Sequence, residues 1–140
     1  METNATIVIG RSVDTVFAYI KDVTNDVHWR FGVDDTGWRS GEPFDVGSIG
    51  YTRVGDLEVE WRVTSYAAGE RVDWEFLNGP YLGGGGYRLM PVDDGTQFTL
   101  AGEVEPTGFY KLLGPVFGWM GRRRNQADIE KLRDILDLNL

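Results

Sequence analysis

The side chains able to do chemistry are few. His28 is the only histidine. Its imidazole titrates near neutrality, which suits a proton shuttle at a pocket mouth. A surface or helix-end position beside Trp29 is the plainer reading. A Ser-His triad or a multi-histidine metal site has almost nothing to build from. There are no cysteines, which excludes a thiolate zinc site, a cysteine nucleophile and a disulfide framework. Asp34-Asp35 and Asp93-Asp94 fall in or beside turns, and Glu58 and Glu60 share a wet strand face. None forms an acid–base pair with separated environments, so no catalytic residue is assigned. The run Gly83-Gly84-Gly85-Gly86 lacks a following Lys-Ser or Lys-Thr and opens no helix, so it is not a phosphate loop. A flexible start to a hairpin or a bulge fits it better. Arg122-Arg123-Arg124 reads as a solvated helix face rather than an anion site, with Arg124 reaching Asp128 at the i,i+4 spacing.

The aromatic residues say more. Trp61, Trp74, Phe76, Tyr87 and Phe98 share the inward parity of their strands. Such rings can stack on a flat or greasy ligand or fill a core; a mixture of the two is expected. Tyr51 and Arg53 share a strand face with Ile49, and the residues between them do not decide whether that face is inner. If it is, Arg53 is a buried cation that needs an acidic partner or an anionic ligand group. Gly114, Gly118 and Gly121 share one helix face, and each costs about 1 kcal/mol relative to alanine. They either open space for a ligand near Phe117 and Met120 or admit close packing of a strand or second subunit. The pocket entrance is expected there. The candidate ligand-binding set is therefore Tyr51, Trp61, Trp74, Phe76, Tyr87, Phe98, Phe117 and Met120, with no metal and no cofactor.

The elements that must position these residues follow from periodicity. Thr6 to Ile9 is a β-branched strand. Ser12 caps a short helix with Val13, Val16, Phe17 and Ile20 at helical spacing. A second helical turn is predicted over 24–30, capped by Thr24 or Asn25. From residue 33 the period becomes two. Strands are predicted at 34–40, 47–54, 57–66, 70–77, 84–92 and 95–104, parted by turn signals such as Gly41-Glu42-Pro43 and Gly55-Asp56. Leu57, Val59, Trp61 and Val63 oppose Glu58, Glu60, Arg62 and Thr64, so one face is apolar and the other wet, as in an antiparallel sheet. A long helix is predicted over about 110–137, roughly 42 Å in length. Its expected apolar stripe is Phe109, Leu113, Val116, Met120, Ala127, Leu132 and Ile135. Pro115 either kinks this helix or starts its regular part.

The chain has 140 residues and a net charge of −8, which predicts one domain over 1–140 and argues against nucleic acid or an anionic membrane surface as partner. Neither a signal peptide nor an 18-residue apolar run is present, so a cytoplasmic location is expected by default. A sheet curved around one long helix leaves space between them, and that space is the expected binding site.

Four stretches resemble a known family. They are Arg11-Ser12-Val13-Asp14-Thr15-Val16-Phe17-Ala18-Tyr19-Ile20 with Asp22 and Trp29; Glu60-Trp61-Arg62-Val63-Thr64-Ser65-Tyr66 with Ala67-Ala68-Gly69-Glu70-Arg71; Asn78-Gly79-Pro80 with Tyr87-Arg88-Leu89-Met90-Pro91-Val92 and Asp94-Gly95-Thr96; and the long helix after Phe109. In order and spacing the chain resembles the SRPBCC superfamily, the START-like or helix-grip group, and within it the polyketide cyclase/dehydrase-like proteins. The resemblance implies an α+β helix-grip fold, with a curved seven-stranded antiparallel sheet wrapped around a long C-terminal helix and two short helices after the first strand. It also implies an internal pocket for an apolar small molecule. None of the matching motifs is a catalytic signature.

Three functional expectations follow. The first is binding of a small hydrophobic molecule, such as a lipid, a polyketide or another aromatic compound, by a monomer or homodimer that does not insert into membranes. The second is an aromatic polyketide cyclase/dehydrase-type enzyme that uses the same cavity, with Tyr51, Arg53, Tyr87 or His28 orienting a chain and moving a proton. The third is a regulatory or heterodimerising partner whose pocket is vestigial. Convergence of two titratable or hydroxyl groups inside the cavity would separate the second from the first.

Overall fold

The computed structural model describes the backbone of residues 1–40 and 45–138, and within it all side chains but those of residues 109, 110, 113–115 and 117. The turn signal at Gly41-Glu42-Pro43 lies outside the described residues. Strand β1 covers Ala5–Ile9, and α1 follows at Val13–Lys21. Ser12 caps α1 by accepting from the Thr15 N–H, and Val16, Phe17 and Ile20 bury its inner face. A 3-10 turn over Val23–Asn25 leads into α2 at Asp26–Trp29. Asn25, one of the two expected caps, holds the N-cap position of α2 without a side-chain cap bond, while the Asp22 carboxylate caps the preceding 3-10 turn by accepting from the Thr24 N–H.

The remaining strands are β2 Asp35–Trp38, β3 Ile49–Val54, β4 Leu57–Ala67, β5 Arg71–Phe76, β6 Tyr81–Val92 and β7 Gly95–Pro106. They form one seven-stranded antiparallel sheet in the order β1-β7-β6-β5-β4-β3-β2. The register between β4 and β5 shifts between Val63 and Ser65; such a bulge bends a strand and adds to sheet curvature.

The glycine run is strand, as the predicted strand over 84–92 implies for Gly84 to Gly86, and not a flexible hairpin entry. Gly83 to Gly86 lie inside β6 rather than at the start of a hairpin, and Gly84 to Gly86 pair with both β5 and β7. A Cβ at Gly84 would run into the Trp74 carbonyl, and one at Gly85 would lie 3.0 Å from the Trp74 indole. Side chains are absent at this point because a neighbouring backbone and ring occupy their space.

A 3-10 segment over Gly108–Leu113 precedes α3 at Gly114–Leu138. Pro115 thus sits in the first turn of α3, where proline is tolerated, rather than at a kink. The 25 residues of α3 span roughly 38 Å. The helix runs along β1 and also touches β7 and α2. Its buried face is Asp128, Ile129, Leu132 and Leu136, not the stripe read from hydropathy. Val116, Met120 and Ala127 are exposed, Leu132 is buried and Ile135 is partly so. Phe109 and Leu113 lie outside the described side chains. The helix is rotated because its glycines sit against the N-terminal segment: a Cβ at Gly118 would lie 2.9 Å from the Met1 side chain, and one at Gly121 would lie 2.8 Å from Thr3 Cγ2. Close packing of that segment therefore accounts for Gly118 and Gly121.

The core joins sheet, α1, α2 and α3. Ile9, Val16, Ile20, Trp29, Val63, Val72, Phe98, Leu100, Ile129 and Leu132 are almost fully enclosed. No helix among the described residues is long and apolar enough to cross a membrane.

Candidate ligand cavity

A concavity of about 450 Å³ lies between the inner sheet face, α2 and α3. Its wall comes from alternate residues of successive strands, because side chains two apart share a face. Strand β4 gives Leu57, Val59, Trp61 and Val63; β5 gives Val72, Trp74 and Phe76; β6 and β7 give Tyr87, Leu100 and Val104. Thr52 and Val54 line it from β3, which settles the face left open by the sequence: Tyr51 and Arg53 point outward. The lining residues that are also exposed, Phe31, Val54, Leu57, Met120 and Arg124, mark the mouth.

Of the residues expected at the pocket, Trp61, Trp74, Phe76, Tyr87 and Met120 line it. Phe98 does not. It is fully enclosed behind the wall, with its ring 5.5 Å from Tyr87 and 6.3 Å from Trp29. Tyr51 does not either: its hydroxyl donates to Asp35 at 2.9 Å and the Arg39 guanidinium stacks 4.1 Å over its ring. Outside the cavity, Arg53 pairs with Glu58 at 3.2 Å, and His28 is exposed on α2. The Phe117 side chain and the surroundings of Gly114 lie outside the described residues.

The polar part of the lining is made by residues that the sequence does not single out. Asp26 and Arg30 on the α2 segment, and Asp128 on α3, line the cavity together with Tyr87. Arg30 Nε sits 3.2 Å from Asp128 Oδ2, and Asp128 Oδ1 accepts from the Phe31 N–H at 3.1 Å. Asp128 therefore engages Arg30 and Phe31 instead of the expected Arg124, whose guanidinium stacks 3.8 Å over the Phe31 ring. The Arg30 guanidinium also lies 5.2 Å over the Trp29 ring. Asp26 Oδ1 and Trp29 Nε1 are buried without a well-formed hydrogen bond.

These placements shift the titrations. Burial pushes the Asp26 carboxyl up to about 7, with Arg30 pulling the other way. Asp128 is also raised by burial, against the opposing pull of Arg30. Burial raises the Tyr87 phenol, and the nearby Asp26 adds to it, so Tyr87 stays protonated. Burial works against the charge on Arg30, but Tyr87, Asp128 and Asp26 more than offset it. A carboxyl poised near neutrality beside a phenol donor and a fixed cation can accept or release a proton, or orient a polar ligand group. Among the described residues no acidic or histidine cluster could hold a metal ion.

The sequence hid this part for a reason. On α2 the periodicity allows either Asp26 or Val27 to follow Val23 inward, and hydropathy favours valine. In the structure Asp26 lines the cavity and Val27 is exposed. The usable signal was the i,i+4 pair Asp26 and Arg30 on the face of the buried Trp29.

The fold has many solved likenesses. The protein TTHA0849 from Thermus thermophilus superposes with a TM-score of 0.78 at 16% identity, covering 97% of each chain. The Aha1 dimer from Colwellia psychrerythraea gives 0.73 at 15% identity, covering 99% of this chain and 97% of that one. DynU16, a putative protein in the dynemicin biosynthetic locus, gives 0.67 at 18% identity, covering 98% of this chain but 47% of that one. At these identities the likeness is one of fold. No curated protein matches the chain. Residues 1–137 match the family described as polyketide cyclase / dehydrase and lipid transport, and with nearly the whole chain inside that match, it belongs to that family.

Proposed function

We propose that the protein binds a small, largely apolar molecule in the cavity between sheet, α2 and α3. The observation that carries this reading is the wall: Val59, Trp61, Val63, Val72, Trp74 and Leu100 turn apolar surface onto a space of about 450 Å³, a size and lining typical of small-molecule sites. The family description, which includes lipid transport, supports the same class of ligand. The test is an amide-resolved NMR titration with a fatty acid, a sterol, a flavonoid and a polycyclic aromatic polyketide. Saturable shifts on the inner residues of β4, β5 and β7 are expected. Absence of such shifts at millimolar concentration of every compound refutes the reading.

A second reading, a cyclase- or dehydrase-type enzyme using the same cavity, is favoured by one observation: Asp26, Tyr87 and Arg30 all line it and act on one another electrostatically. Binding alone does not need a carboxyl held near its titration point. Turnover of a bound poly-keto compound that is lost in Asp26→Asn with binding retained would support it, and no turnover of any bound keto compound would count against it.

A further inference from the structure

Among the described residues that line the cavity, one has a buried side-chain oxygen without a well-formed hydrogen bond. Both oxygens of Asp128 are engaged, one by the Phe31 N–H at 3.1 Å and the other by Arg30 at 3.2 Å. Thr52 Oγ1 accepts from the Trp61 indole N–H at 3.0 Å. The Asn125 amide donates to the Thr3 carbonyl at 2.7 Å. Asp26 alone lines the cavity with a carboxyl oxygen that is buried and lacks a well-formed hydrogen bond. Three donors act on it: the Trp29 indole N–H, whose nitrogen is likewise buried without a well-formed bond, the Arg30 guanidinium and the Tyr87 phenol. An unmade hydrogen bond at a buried polar group is costly, and a partner that supplies it gains correspondingly.

Resting on the cavity reading above, we propose that the polar part of the lining selects an apolar molecule with an uncharged hydroxyl terminus, phenolic or enolic, which donates to Asp26 and accepts from Tyr87 or Arg30. A hydroxyl is the group that can do both at once. A ligand carboxylate has no proton for Asp26 and adds a third negative charge to Asp26 and Asp128, against the single buried guanidinium. A ligand ammonium would satisfy Asp26 but would have to sit beside Arg30. The groups facing Asp26 from all sides fix the expected pH behaviour. They are Asp22 and Arg30 on its own segment, Tyr19 on α1, Tyr87 on β6 and Asp128 on α3, with Arg124 acting on Asp128. As pH rises through neutrality Asp26 ionises, so affinity for a hydroxyl compound is retained or strengthened while affinity for a carboxylate falls.

The experiment measures four probes by fluorescence or calorimetric titration at pH 5.5 and pH 8: naphthalene, 2-naphthol, 2-naphthoate and 2-naphthylmethylammonium. At pH 8, 2-naphthol is expected to bind at least about tenfold more tightly than any of the other three, the scale of one hydrogen bond to a charged acceptor. Asp26→Leu should abolish that margin and leave naphthalene within about twofold. Asp26→Asn, which can donate, should tighten 2-naphthoate. If the variants do not fold, the pH trend on the native chain decides: naphthoate must weaken between pH 5.5 and pH 8 while naphthol does not. Equal affinity for naphthalene and naphthol, or tightest binding of the anion or the cation, overturns the hydroxyl proposal while leaving the cavity reading intact. Failure of all four probes removes both.

Discussion

Replacing Asp26 with Asn tests the electrostatics of the cavity on the protein's own stability. The substitution keeps shape and removes the titrating proton. In the unfolded chain the carboxyl has its ordinary value of 3.8, and in the folded protein burial lifts it to about 7. The folded state therefore holds a proton that the unfolded state has already released, and its stability falls as pH rises between those limits. The interval is roughly three pH units and each unit is worth ~1.4 kcal/mol, which sets an upper bound of about 4 kcal/mol. Between pH 5 and pH 8 about 2–3 kcal/mol of this is expected. Urea unfolding of both proteins at the two pH values isolates the contribution, because the other titrating groups act in both. The wild type should lose about 2–3 kcal/mol more than Asp26→Asn on going to pH 8, where the variant should be the more stable protein. Parallel pH dependence of the two, within about 0.5 kcal/mol, would refute the claim that Asp26 is held in a desolvated site.

Four further substitutions separate structural from ligand-facing roles. Phe98→Ala should cost about 3–5 kcal/mol in urea unfolding yet change ligand affinity little, since Phe98 is enclosed behind the wall, whereas Trp74→Ala should change affinity strongly because it faces the space directly. Asp128→Asn should destabilise by about 1–3 kcal/mol, because it strips the carboxylate that Arg30 meets at 3.2 Å from a position only 6% exposed and leaves Arg30 to Asp26. Gly50→Ala should destabilise by about 1–3 kcal/mol, since the new Cβ would run into the Trp61 indole; calorimetric unfolding checks both.

The sheet was legible because burial on one side writes alternation into the sequence. Leu57, Val59, Trp61 and Val63 all line the cavity as their parity requires. Ser12 was legible because a cap is a local device, its hydroxyl meeting the Thr15 N–H within the same turn. What was not legible depends on contacts distant in sequence. The rotation of α3 follows from Met1 and Thr3 packing on Gly118 and Gly121. The polar part of the lining joins α2 to α3 through Arg30 and Asp128, almost a hundred positions apart. Tyr51 was assigned by residue type, but the neighbouring inner face, with Gly50 against Trp61 and Thr52 on the cavity, turns it outward to Asp35. Each of these is a choice between two faces that local hydropathy leaves balanced or biases the wrong way.

The most direct test of the central claim is an isotope-filtered NOE experiment on the protein saturated with its tightest ligand from the NMR panel. Intermolecular contacts are predicted to the methyl groups of Val59, Val72 and Leu100 and to the Trp74 and Tyr87 rings, which face the enclosed space. Contacts confined to the exposed Leu112, Val116 and Trp119 on the outer surface, with none to the inner methyls, would contradict it.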